Sequence, residues 1–567
     1  MHIDRRLLAL SLAATLLAGC GASGGAVAVD ARAALSPTER VLALGAEDNR
    51  VQEHLRHLSL SIGPRLTGSP GLARAEAWCR DQFASWGLDA RLEPWGEFPV
   101  GFERGPASGA VLAPETVELV FTTPAWTPGT DGPRRGPAVA WPADAAALDA
   151  LRPALAGAWV VAPSSRGDRD WREIVEAVLL EDGAAGLVTP SRGEMVHTGG
   201  NYRIEAEALP RLVQAVVRGD QHEALVAQLA AGTAVELEFD IENRFLPGPV
   251  PLHNVVADLV GAELPDEYVI VCGHLDSWDG AQGTLDNGTG VSTAMEAARL
   301  LAESGARPRR TIRFLLWSGE EQGLLGSKAW VAAHAEEMPR ISAVLNHDGG
   351  TNYLSGLGIT PEMRPQLEAV CAPLVGLSAD MPFELDVVDT LSGAGSSDHA
   401  PFVEAGVPGF FWRQSGRSDY DRHHHTQYDT FDAAIPAYQR HSAQVIAVTA
   451  LGLADADALL ERRNMMPLEP RRLGVRLDGV TVSEVTPESV AAAAGWQAGD
   501  VLISIDGEAA EASRRWSGRV VQRGGPLKPA VIERDGQQIE TTLDWSADPG
   551  EVERARRAAE RAALERE

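Results

Sequence analysis

Cysteine is scarce, with four residues in a chain of 567. Cys20 stands near the amino terminus, and Cys79, Cys272 and Cys371 are scattered singly, which defines no disulfide framework and no clustered-thiolate zinc site. Positive charge is also short. Asp and Glu outnumber Lys and Arg by 79 to 50, giving a formal net charge of −29, which sets the chain against nucleic acids and anionic membrane surfaces of the same sign. The acidic balance reads as a solvated surface that keeps the protein soluble. No early apolar run is long enough to span a bilayer. Leu7 to Gly19, behind Arg5 and Arg6, is an export signal by length and flank. The remainder is ordinary for a soluble chain of several domains, at 44% hydrophobic and 23% charged.

The chemistry concentrates between Tyr268 and Asp348. Tyr268 to Cys272 is a β-branched apolar run that predicts a strand buried on both faces, delivering His274 and Asp276 at its exit. Two residues apart, they share one side of an extended chain, so the Asp276 carboxylate is expected to orient the His274 ring. Gly283, Gly288 and Gly290 bracket Asp286 in a tight turn before a helix predicted from Val291. A second strand, Thr311 to Trp317, runs into Glu320 and Glu321. Two adjacent carboxylates need a positive neighbour, and they divide naturally into a metal ligand, Glu321, and a group aimed at water, Glu320. A third strand, Ile341 to Asn346, ends on His347 and Asp348, and a last histidine group arrives in HHHTQYDT from His423. Strand ends carrying imidazole and carboxylate predict a two-metal hydrolase site at the carboxyl edge of an open α/β sheet.

GHLDSWDGAQGTLDNGTG, LLWSGEEQGLLGS, LNHDGG, SSDHAPFVEAGVPGF and HTQYDT resemble, in order, the motifs of the dinuclear zinc aminopeptidase and glutamate carboxypeptidase family. With GPRLTGSPG and FERG upstream, the likeness is to its plasma glutamate carboxypeptidase branch. The resemblance implies two zinc ions, or other divalent ions in their place. His274 and Asp348 would hold one, Glu321 and His425 the other, and Asp286 would bridge them. It also implies Glu320 as general base, Asp429 as the support of His425, and a cis peptide bond after Asp286. Asp276 counts with Glu320 among the catalytic residues. Arg65, in GPRLTGSPG, is expected to be a structural ion-pair partner. Asp398 and His399 are expected to form the pocket, and Arg413, Arg417 and Arg422 to make internal ion pairs unless they take a substrate carboxylate.

The implied fold is α/β: a mixed, mostly parallel sheet flanked by helices, with an inserted β-rich domain and a C-terminal β domain. Residues 1–20 resemble a lipoprotein signal, in which Leu17-Ala18-Gly19-Cys20 makes Cys20 the lipidated first residue, and 21–36 form a tether. The peptidase domain takes 37–101 and 246–455. Between them, 102–245 resembles a protease-associated domain, expected to overhang the site and limit substrate length. A linker at 456–470 leads to 471–546, which resembles a PDZ domain whose loop Arg472-Leu473-Gly474-Val475 would receive a peptide C-terminus. A charged helix closes the chain at 547–567. The expected function is hydrolysis of short peptides with a free N-terminus, in a bacterial cell envelope, on its outer-membrane or periplasmic face. The membrane is met only through the lipid anchor, and a homodimer is compatible with the sequence. The alternatives are a carboxypeptidase that reads the C-terminal carboxylate and a non-catalytic peptide-binding protein.

Overall fold

The apolar runs form the middle of a six-stranded sheet in the computed structural model, which describes residues 35–391, 397–465, 469–511 and 514–564. The signal segment, Cys20 and most of the tether lie outside the described residues. In chain order the strands are β1 (Asp89–Phe98), β2 (Val250–Leu259), β3 (Leu264–His274), β4 (Arg310–Trp317), β5 (Ile341–Asn346) and β6 (Gly409–Phe411). They stand side by side as β1-β2-β4-β3-β5-β6. β3 runs parallel to β4 and β5, and β5 to β6, whereas β1, β2 and β4 pair antiparallel. Val269, Ile270, Val271 and Cys272 have no exposed surface. Each such apolar side chain contributes about 1.5–3 kcal/mol by leaving water, and a strand buried on both faces has no use for alternation.

Three long helices cover this sheet: α1 (Pro70–Ser85), α2 (Thr289–Glu303) and α3 (Pro436–Asp455). Ser69 caps α1, accepting from Leu72 N–H at 3.2 Å, with Pro70 in the first turn. α2 carries a buried charge cluster. Arg299, fully buried, donates to Glu296 at 2.9 and 2.7 Å and to Glu303 at 2.6 Å, and Glu296 is itself fully buried. Arg299→Met leaves that carboxylate with His54 Nε2, 3.2 Å away, as its remaining side-chain partner among the described residues. The variant should unfold about 3–5 kcal/mol more easily, read from the denaturant midpoint.

Residues 107–241 build a separate eight-stranded sheet with its own apolar core around Trp159, Leu237 and Phe239. Its stem is a two-stranded ribbon, Gly101–Glu103 against Arg244–Leu246, so the chain leaves and re-enters the six-stranded sheet at neighbouring points. A third sheet, within 475–544, surrounds Trp496, Trp516 and Trp545. A closing helix, Pro549–Leu564, docks on it through Arg471 and Glu551, 2.7 Å apart. Cys79, Cys272 and Cys371 are free and buried, and burial pushes the thiols of Cys272 and Cys371 up, the latter to about 12.

Candidate metal centre

Parallel pairing makes the carboxyl ends of β4, β3 and β5 level. His274 lies opposite Trp317, and Cys272 opposite Asn346, so the residues that follow all emerge at one edge. His274 Nε2 is 3.1 Å from Asp286 Oδ1 and 3.4 Å from Asp348 Oδ1. His425 Nε2 is 3.0 Å from both Asp286 Oδ2 and Glu321 Oε2. Asp286 therefore turns one carboxylate oxygen to each imidazole. His424 lies farther off, its Nε2 3.7 Å from Asp286 and its ring stacked on His425.

The turn that presents Asp286 is built by close approach. A Cβ on Gly290 would meet the carbonyl oxygen of His347 at 2.1 Å, so only glycine lets α2 start against the end of β5. The peptide bond between Asp286 and Asn287 is cis, as the resemblance implies. Asn287 Nδ2 donates to His347 O at 2.8 Å. Ser397 donates to Asp348 Oδ2 at 2.7 Å and accepts from Asn346 Nδ2 at 2.7 Å, which fixes the Asp348 carboxylate from behind.

Three supports differ from the sequence reading. The carbonyl oxygen of Asp276, not its carboxylate, meets His274 Nδ1 at 3.0 Å; the carboxylate is 3.8 Å away. That carboxylate accepts from the backbone N–H groups of Glu320 and Glu321, both at 3.2 Å, and from Thr67 Oγ1 at 3.1 Å. Asp276 thus holds the turn that aims the two glutamates, because an extended i, i+2 pair bends once the strand ends. Asp429 does not touch His425. It accepts from Leu285 N–H at 2.5 Å and Asp286 N–H at 3.4 Å, bracing the shared aspartate instead. Asp429→Asn should weaken metal binding by about 10–100-fold at unchanged fold, measured by competition with a chelator.

Arg65 makes no ion pair among the described residues. Its buried guanidinium donates to the carbonyls of Leu275, Gly63, Gln282 and Gly283, tying the His274 loop to the Asp286 turn. Asp398 lies beneath the cleft, fully buried and bonded to Ser327 Oγ. His399, also buried, packs against Phe411. Arg413 pairs with Asp386, and Arg422 lies 4.2 Å over the Tyr428 ring.

The electrostatics call for positive charge. Burial raises Glu320 well above the carboxylate range against the pull of His274, with Asp398, Asp348 and Glu321 adding to the rise. Burial and the Asp286 charge push Glu321 up to about 7. Despite burial, Asp286 and Glu321 drive His425 up to about 10. The imidazoles are thus drawn into the cationic role that metal ions fill in such a donor set. Asp286 Oδ2 and Glu321 Oε1 find no hydrogen-bond donor among the described residues. His274, Asp286 and Asp348 bring ligand atoms within 4.8 Å of one another, as do Asp286, His424 and His425. The residues therefore fit divalent metal ions, in two neighbouring groups that share Asp286.

Trp278 and Asp279 lie in the HLDSWD motif without a role that the sequence assigns. Asp279 pairs with Arg104 at 2.7 Å, so HLDSWD and FERG are two halves of one contact. Tyr420, stacked on His424, was missed altogether; burial and the surrounding carboxylates raise its phenol well above the usual range.

Residues 254–450 match Peptidase family M28, and this stretch contains every proposed ligand. The protein is a hydrolase, and this stretch of about a third of the chain is similar to that family. Carboxypeptidase Q from Rattus norvegicus is 27% identical over 432 residues, covering 74% of this chain and 88% of the relative. Carboxypeptidase Q from Xenopus laevis is 29% identical over 427 residues with the same coverage. The crystal structure of a peptidase M28 precursor from Shewanella amazonensis SB2B superposes with a TM-score of 0.55 at 26% identity, over 75% of this chain and 97% of that one.

Proposed function

We propose that the protein is an exported, zinc-dependent exopeptidase, an aminopeptidase or dipeptidase that cleaves short peptides with a free N-terminus. The observation that carries this is Asp286, whose two oxygens face His274 and His425 separately. His274 and Asp348 would hold one ion, Glu321 and His425 the other, with Asp286 shared. Imidazole and carboxylate without thiolate suit zinc, and other borderline divalent ions as substitutes. Two such ions, when bound, polarise the scissile carbonyl and acidify a water. Glu320 takes the proton from water and returns it to the leaving amine. Asp276 keeps Glu320 and Glu321 in register through their backbone N–H groups.

Of the arginines that could read a substrate carboxylate, Arg413 is paired to Asp386 and Arg422 is stacked on Tyr428, which favours the free-amine reading, while Arg417 is exposed. The carboxypeptidase reading is favoured by the arginines near His425 as candidates for a substrate carboxylate and by the similarity to carboxypeptidase Q, in Rattus norvegicus and Xenopus laevis among others. Mass spectrometry of dipeptides and longer peptides, each with free and acetylated N-terminus, separates the two. Cleavage of free-amine members alone, lost on metal removal and restored by zinc, is the expected result; cleavage indifferent to acetylation would establish the carboxypeptidase.

The same proposal reads 102–245 as a protease-associated domain, and 471–546 as a PDZ-like domain that docks a peptide C-terminus. Its strand Val475–Asp478 lies at the edge of its sheet, where an added strand could pair. Cys20 is read as the lipid anchor that holds the enzyme at the cell envelope.

A further inference from the structure

The segment 107–241 is fastened to the metal-site loops at several independent points. Arg104, just beyond the ribbon, pairs with Asp279, and the two side chains are 16% and 6% exposed. Trp126 meets Trp278 edge-on at 5.9 Å. Val196 N–H donates to Gln427 Oε1 at 2.7 Å, and Gln427 N–H donates back to Val196 O at 3.0 Å. Thr198 N–H donates to His425 O at 2.8 Å. That last bond steadies a residue in the left-handed region, φ 53°, a conformation costing a non-glycine residue about 1 kcal/mol or more.

The same segment carries Tyr202. Its ring stands edge-on to Trp278, centroids 5.8 Å apart, and Trp278 in turn stands edge-on to His425 at 6.2 Å. Trp278 is 3% exposed, whereas Tyr202 is 56% exposed. An aromatic ring that is anchored on one edge and bare elsewhere is a packing surface awaiting an apolar partner. Partial burial raises its phenol, and the charges of Glu321 and Glu320 add to the rise.

We propose that Tyr202 is a specificity-determining residue: its ring, seated on Trp278, is the cleft wall against which the side chain of a peptide's first residue packs, favouring apolar and aromatic side chains there. The inference rests on the exopeptidase reading and names a substrate class within it. It also gives the fastening a purpose. A wall supplied by a separate segment is useful only if that segment is held in fixed register with the metal loops, as Arg104, Thr198 and Val196 hold it.

The test compares wild type, Tyr202→Ala and Tyr202→Phe on zinc-loaded protein, using dipeptides whose first residue is Gly, Ala, Leu, Phe or Glu. For Tyr202→Ala, kcat/KM should fall about fivefold or more on the Leu and Phe members relative to Gly, the scale of one lost aromatic contact. Tyr202→Phe should keep the wild-type ranking. An equal fall on every member would show a merely structural role and overturn the inference, as would an unchanged ranking in Tyr202→Ala. Should wild type cleave none of the dipeptides in either acetylation state, the exopeptidase reading falls instead, so the two failures are told apart.

Discussion

Glu320→Gln is expected to bind the same metal complement as wild type and to lose turnover by about 100-fold or more. The substitution keeps the side chain's shape and removes its ability to accept a proton. It leaves the backbone untouched. Glu320 and Glu321 are positioned through their N–H groups on the Asp276 carboxylate, each at 3.2 Å, and those bonds do not depend on the side chain at 320. The ligand Glu321 therefore stays beside His425. Burial lifts the Glu320 carboxyl well above its ordinary range, and a group of raised proton affinity at a hydrolytic cleft is a suitable acceptor near neutral pH. Metal content by elemental analysis and turnover on the best dipeptide decide the matter. Near-normal turnover in a metal-replete variant would place the base elsewhere.

What the sequence made legible, and what it did not, divides by range. Strands with no polar residue inside, such as Tyr268 to Cys272, announce themselves because burial on both faces permits nothing else. Once these strands are known to be parallel neighbours, the residues just past their ends must share an edge, which is why His274, Glu321 and Asp348 could be grouped. The errors concern bonds made by the backbone. Nothing in the identity of Asp429 says that it braces two N–H groups of the Asp286 turn instead of an imidazole. Likewise the carbonyl of Asp276 competes with its own carboxylate for His274, and only the bend after β3 decides between them. An arginine is expected in an ion pair because guanidinium usually meets carboxylate; here the irregular loops offer Arg65 the carbonyls of Leu275, Gly63, Gln282 and Gly283 instead. Tyr202 lay furthest from view. It lies on a loop of the 107–241 segment, and no local pattern links residue 202 to residue 278.

Asp286→Ala should cost more than any other single change at the site. Replacing an outer partner of a metal ligand lowers affinity by about 10–100-fold, and Asp286 is not an outer partner. It offers an oxygen to each half of the centre, at 3.1 Å from His274 and 3.0 Å from His425. Its removal leaves His274 with Asp348, and His425 with Glu321, as two separated pairs. Neither pair supplies the three protein ligands that a catalytic zinc ordinarily takes. Metal content should therefore fall at both positions together, with turnover reduced beyond that of Glu320→Gln. His274→Ala, by contrast, removes a ligand from one side only and should leave about half of the metal bound. Equilibrium dialysis with zinc distinguishes these patterns. Loss of a single ion in Asp286→Ala, with the other held at wild-type affinity, would mean that the two halves do not share this carboxylate.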